Sequence, residues 1–207
     1  MRFPPRLWYT VDIHKFEGGD AALPFLITDS AAALPAETLP ALKITHFYGA
    51  PRRGWVYAYL RCYVHHGTVR YCATVFDEAP FDTARLGLAL TLDDAARSFL
   101  FLSLGKSSGA RLRLYEEGGA VKELTAPAPH MGAGGDEQGL YWSAEGELPA
   151  AVFRTCFGGV PRAGLFLPGN VFLYDEAEAA FGAAFPVPAG ETVPTAAGFE
   201  PFMVVPY

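Results

Sequence analysis

The chain has 207 residues, 51% of them hydrophobic and 14% aromatic, enough for one sizeable core and for a single domain over residues 1–207. Only 18% are charged, and the formal net charge of −6 leaves no basic field for nucleic acid or an anionic membrane. No apolar run approaches the roughly 18 residues of a membrane span, and Cys62, Cys72 and Cys156 lack metal-type spacing and read as small buried hydrophobes kept reduced.

Pro4 and Pro5 interrupt the N-terminal segment before an apolar h-region can form. No signal peptide is read, and a cytoplasmic chain is expected, extracellular only behind a leader. Trp8–Phe16 and Leu42–Phe47 read as early strands. The strongest local signal follows, where the β-branched and aromatic runs Trp55–Val64 and Val69–Phe76 flank His65-His66-Gly67-Thr68. A two-residue turn at His66-Gly67 pairs Val64 with Val69, Cys62 with Tyr71, Leu60 with Ala73 and Ala58 with Val75, an apolar face throughout. A three-residue loop would place Arg70 on that face without a partner, so burial cost selects the shorter turn. That turn demands φ > 0 at both central positions, which Gly67 accepts freely and His66 better than most residues. The opposite face then carries Trp55, Tyr57, Tyr59, Arg61 and Tyr63. Cys62 and Cys72 point to opposite sides, so no disulfide joins them.

Leu86, Leu88, Leu90 and Leu92 alternate with smaller residues before Asp93-Asp94-Ala95-Ala96 turns the chain into Ser98–Leu104. A third hairpin pairs Arg111–Tyr115 with Val121–Leu124, placing Leu112 and Leu114 inward and Arg111, Arg113 and Tyr115 outward. Pro127 to Gly139 reads as a flexible loop, Leu140–Leu148 as a strand, and Pro149–Phe157 as helical turns opened by the proline. Leu165–Tyr174 and Pro201–Val205 read as late strands. Asp175 and Glu178 are spaced as a capping box for a short helix over Asp175–Phe185, and Phe185–Pro194 is a Pro-rich loop. Short strands without βαβ alternation predict an all-β, antiparallel β-sandwich of the jelly-roll or Ig-like class, with one or two short helices.

Chemistry-bearing patterns are few. There is no Gly-x-Ser-x-Gly elbow, and no histidine spacing implies a triad, so no catalytic residue is assigned. His65-His66 lies at a hairpin tip, where neighbouring side chains diverge, and reads as solvated turn residues instead of a metal site. Gly132–Gly139 lacks the Gly-Lys-Ser/Thr ending of a phosphate loop and leads into a strand, not a helix. Neither a cofactor nor a metal is expected. The aromatic face of Trp55, Tyr57, Tyr59 and Tyr63, with Arg61 and Arg70 among them, suits a sugar. The C–H faces of a sugar stack on rings while amphipathic neighbours bond its hydroxyls. The same face also suits the second buried side of a sandwich strand.

Three stretches resemble the family 9 carbohydrate-binding modules and the wider DOMON-like β-sandwiches. Asp82-Thr-Ala-Arg-Leu-Gly-Leu-Ala-Leu90 with Ser98–Ser103 is similar to that family's Asp-Ser strand and the strand after it. Trp142–Pro149 with Phe157-Gly158 resembles its strand ending in an apolar-Pro step. Gly169-Asn170-Val-Phe-Leu-Tyr174 with Phe199–Phe202 resembles its closing Asn segment and final strand. The match runs from about residue 40 onward. The family's Trp-Glu before the Asp-Ser step is replaced by Ala79-Pro80-Phe81, and Leu173 and Tyr174 stand where a second clamping Trp is found. The resemblance implies a DOMON-like fold, a polar ligand contact at Asn170, and stacking by Trp55 or Trp142. The sequence therefore predicts a non-catalytic module with carbohydrate as ligand, bound through Trp55, Tyr57, Tyr59, Trp142 and Asn170. The alternative is a structural or protein-interaction domain without a small-molecule ligand.

Overall fold

The computed structural model describes residues 24–50, 56–76 and 83–207, so the expected strand at Trp8–Phe16 and the side chain of Trp55 lie outside the described residues. β1 (Phe25–Asp29), β2 (Leu42–Lys43) and β3 (His46–Tyr48) precede the hairpin of β4 (Ala58–His65) and β5 (Thr68–Phe76). That hairpin has the predicted register, with Ala58, Leu60, Cys62 and Val64 opposite Val75, Ala73, Tyr71 and Val69. His66 and Gly67 both adopt positive φ, 51° and 76°, and the twist of such a turn matches that of the strands it joins. Cys62 is buried, Cys72 lies on the other face, and both thiols are free.

β6 (Ala84–Leu90) and β7 (Phe99–Gly105) pair next, setting Leu86, Leu88 and Leu90 opposite Leu104, Leu102 and Leu100. β8 (Gly109–Tyr115) pairs with β7 and with β9 (Val121–Leu124). β10 (His130–Asp136), β11 (Gly139–Leu148), α1 (Ala150–Phe157), β12 (Phe166–Asp175), β13 (Phe181–Ala183) and β14 (Glu200–Pro206) complete the described elements. The helix starts after Pro149, and Gly158 closes it at φ 73° by donating its N–H to Arg154 O.

Hydrogen bonding follows one path, β10-β11-β5-β4-β1-β14-β12-β6-β7-β8-β9. The sheet curls so that the inner faces of its two halves meet in one core, joining Leu60, Val75 and Trp142 with Leu88, Leu102, Val171 and Phe202. Three features depart from the sequence-based expectation. The segment Pro127–Gly139 is not a loop throughout, because β10 pairs with β11 over seven residues. Its glycines make the pairing possible, since a Cβ at Gly132 would meet Ser143 Oγ and one at Gly134 the Tyr141 phenol, both at 2.6 Å. The expected helix after Asp175 is instead a turn. Asp175 Oδ1 accepts the Ala177 N–H at 2.8 Å and Asp175 O accepts that of Glu178. The chain is thereby reversed, and β13 folds back onto β12. The sheet is also not wholly antiparallel, because β1 runs parallel to both β14 and β4.

Candidate functional site

The outer face of β4, β5 and β11 carries the aromatic residues singled out in the sequence. Tyr57 and Tyr59 pack with Phe76, and Phe76 with Tyr141, at centroid distances of 5.4–6.4 Å. Tyr57 is 37% exposed, while Tyr63 is buried, so the strip is open at one end only. The charges beside it are engaged within the chain. Arg61 Nη1 donates to the carbonyls of Ala36, Glu37 and Leu39 and its guanidinium lies 5.3 Å from the Tyr59 ring centre. Arg70 pairs with Glu147 at 3.1 Å. This face therefore offers rings to a ligand, while its two arginines are already engaged within the chain.

The outer face of the other half is built differently. Arg85, Gly87 and Ala89 of β6 alternate outward beside Phe99, Phe101 and Ser103 of β7, Arg111, Arg113 and Tyr115 of β8, and Asn170, Phe172 and Tyr174 of β12. Phe99, Phe101, Phe172 and Phe181 form a second apolar cluster with Val187, against which Val193, Ala196 and Phe199 pack from the segment between β13 and β14. Gly87 makes this layer flat: a Cβ there would meet Phe101 Cζ at 2.4 Å and Tyr174 Cε1 at 3.3 Å. A cleft of about 340 Å³ opens over Phe101, Tyr115, Tyr174 and Phe181, walled by Val193 and Pro194 and rimmed by Arg111 and Glu176. At Arg111, Asp175 and Glu176 it continues into an opening of about 400 Å³ bounded by Arg85 and Ser108.

The polar groups there form one network. Arg85, with only 4% of its side chain exposed, donates from Nε to Ser103 Oγ and from Nη1 to Ser108 Oγ, both at 2.6 Å. Ser103 Oγ lies 2.6 Å from Tyr174 Oη. Arg85 occupies one lone pair of Ser103, and either hydroxyl of the Ser103–Tyr174 pair can donate to the other. Burial pushes the Tyr174 phenol up, so it remains a neutral donor at physiological pH. Glu176 accepts from Arg111 Nη1 at 3.1 Å and stands 3.5 Å from Arg85 Nε. Rings below and convergent donors and acceptors at the edge are the composition of a site for a small polar ligand with apolar faces. Among the described residues no group of three or more His, Cys, Asp or Glu is placed to hold a metal ion, and no helix is long and apolar enough to cross a membrane.

No family model and no curated protein matches the sequence. Solved structures do match. A proposed carbohydrate-binding protein from Bacteroides uniformis superposes with a TM-score of 0.69 at 8% identity, over 87% of this chain and 98% of that one. A family 9 carbohydrate-binding module from Caldicellulosiruptor kristjanssonii in complex with cellotriose gives 0.52 at 9% identity, over 89% and 95%. The module from that organism in complex with glucose gives 0.51 at 8%, over 89% and 97%. The chain has the fold of these modules. At such identities the likeness establishes the β-sandwich architecture and no ligand.

Within this shared fold, two residues expected to contact ligand are interior. Trp142 is 1% exposed and packs in the main core. Asn170 is 0% exposed, and its amide is fully spent on backbone. Nδ2 donates to Phe185 O and Gly198 O, while Oδ1 accepts from Val171 N and Phe185 N at 2.7–3.2 Å overall. Buried in this way, neither side chain presents a surface to solvent. Asn170 instead ties the Pro-rich segment down, and that segment supplies the Val193–Pro194 wall of the cleft. Of the cleft residues, Arg111, Arg113 and Tyr115 were legible as outward-facing and Tyr174 as the occupant of the second Trp region. Arg85, Ser103 and Glu176 were not singled out. The available signal was an arginine at an outward position inside an otherwise apolar strand, which must find partners or not fold.

Proposed function

We propose that this chain is a non-catalytic carbohydrate-binding module of DOMON-like type whose sugar lies in the cleft beside Tyr174. The observation that carries the reading is the meeting of an aromatic floor, Tyr115 and Tyr174 backed by the buried Phe101, with the Arg85–Ser103–Tyr174 hydrogen-bond chain at one edge. A pyranose ring set on the tyrosines would lose apolar surface to stacking and offer hydroxyls to Tyr174, Arg111 and Glu176. The likeness to modules solved with glucose and cellotriose supports this reading. A binding role also fits two of the three carboxylates of the cleft, since Glu176 is engaged by two arginines and Asp175 by the Ala177 amide.

Isothermal titration with glucose, cellotriose and a panel of other mono- and oligosaccharides tests it. Binding should appear at millimolar sugar or below, and Tyr174→Ala should weaken it about tenfold, the worth of one stacking ring with its hydroxyl. A flat titration against every sugar would sink the reading. A second reading, a protein-interaction domain, is favoured by the Tyr57–Phe76–Tyr141 strip, in which Tyr57 is 37% exposed. Sedimentation at rising concentration tests its self-association form, and a sample that stays monomeric throughout removes it.

A further inference from the structure

We infer that the ligand of this cleft carries a carboxylate, so that the sugar is an acidic one of the uronic type; this rests on the carbohydrate reading above. The residue that calls for a carboxylate is Arg85. A guanidinium is charged at every accessible pH, and burying one is tolerable only when its charge and its donors are answered. Here Nε and Nη1 meet neutral serine hydroxyls, and Nη2 is buried with no hydrogen-bond partner. The counter-charge is Glu176 alone among the described ion pairs, and at 3.5 Å from Nε it is too far to hydrogen-bond. The same Glu176 oxygen is already bonded to Arg111. Two guanidiniums thus share one carboxylate.

Geometry points to what would complete the set. The Nε–H and Nη2–H bonds of an arginine run parallel along one edge, the edge that receives carboxylates in bidentate pairs. Ser103 Oγ holds the Nε–H and Glu176 stands 3.5 Å from that nitrogen, so Nη2 is the member of the edge left unanswered. Asp175 and Glu178 also border the cleft, but Asp175 is turned to the Ala177 amide. Glu176 is about half exposed, on the turn after β12, and is therefore positioned to swing outward. A ligand carboxylate entering beside Glu176 as that side chain moves aside reaches Arg85 on the buried side and Arg111 on the open side, while its ring stays over Tyr174, so that the two guanidiniums no longer depend on one carboxylate. A neutral hydroxyl would satisfy the donor but leave the charge.

Titration calorimetry at constant ionic strength with D-glucuronate, D-glucose and sodium acetate tests this. Glucuronate should bind about tenfold more tightly than glucose, the worth of one charge-assisted contact, and acetate should not compete at equal concentration. The glucuronate-to-glucose ratio should fall towards one in Arg111→Gln and rise in Glu176→Gln, both exposed positions where substitution leaves the core intact. Equal affinity for glucuronate and glucose overturns the carboxylate while the sugar reading stands. Acetate competing as well as glucuronate overturns the saccharide class, and no binding of either sugar removes both readings.

Discussion

Tyr71 shows what a single hydroxyl does inside this core. Its ring lies on the inner face opposite Cys62, and its hydroxyl has no hydrogen-bond partner. An unanswered buried hydroxyl costs more than it contributes, so Tyr71→Phe should raise stability by about 1 kcal/mol in urea unfolding. A loss of that size would mean that the hydroxyl is bonded after all. Burial, with Glu147 adding to it, pushes the Tyr71 phenol up from 10.0 to about 12, and burial alone pushes the Cys62 thiol from 9.0 to about 12. Both shifts are upward, so the folded state holds these protons more tightly than the unfolded chain. Their contribution is complete below pH 9 and is lost as pH rises towards 12. Tyr71→Phe should therefore flatten the alkaline limb of the stability profile, which pH-dependent denaturation would show. Asn170 carries the opposite lesson. Its sequence context marked it as a ligand contact, yet its four backbone bonds make it a clasp. Asn170→Ala should cost about 3 kcal/mol by leaving buried backbone groups unanswered, with sugar affinity falling as the cleft wall loosens.

At the level of elements, legibility followed the agreement of independent signals. The β4–β5 hairpin was readable to the residue because alternation, turn chemistry and the cost of burying Arg70 all chose one register. β10 was not readable, because three of its seven residues are glycine and glycine carries no alternation to read. What makes it a strand is the room that Ser143 and Tyr141 of β11 need above it. The capping box at Asp175 and Glu178 was a real local preference, but the side chain spent it on a turn that sends β13 back along β12. The outer layer of β6, β7 and β12 rests on Gly87, whose absent side chain lets Phe101 and Tyr174 lie flat. Gly87→Ala would push both rings outward, costing about 1–3 kcal/mol as overpacking does and reshaping the cleft floor. Thermal unfolding and sugar titration of this variant should both deteriorate. A fall in stability with unchanged affinity would separate Gly87 from the site.

For the molecule as a whole, the sheet path ranks its parts by how deeply they are embedded. β7 is buried along its length, and β6 and most of β12 nearly so, whereas β9 and β10 are the two ends of the path and largely exposed. Amide hydrogen exchange should be slowest in β6, β7 and β12 and fastest in β9 and β10. Protection spread evenly over the sheet would contradict that order. The closure of the fold was the part least visible in the sequence, because Phe25–Asp29 is a short apolar run whose partners lie some 180 residues away, Phe25 beside Phe202 and Asp29 beside Pro206. No local pattern announces a parallel pairing at such separation. That pairing also sets how the molecule bears load. Traction applied ahead of β1 and beyond β14 drags two parallel strands past each other lengthwise, so all their bonds resist at once. The antiparallel β4–β5 hairpin, pulled by its open ends, would yield one rung at a time. A chain held at both ends would thus be latched in shear at the β1–β14 seam, and its lifetime under tension would be governed by the unfolding rate of that latch.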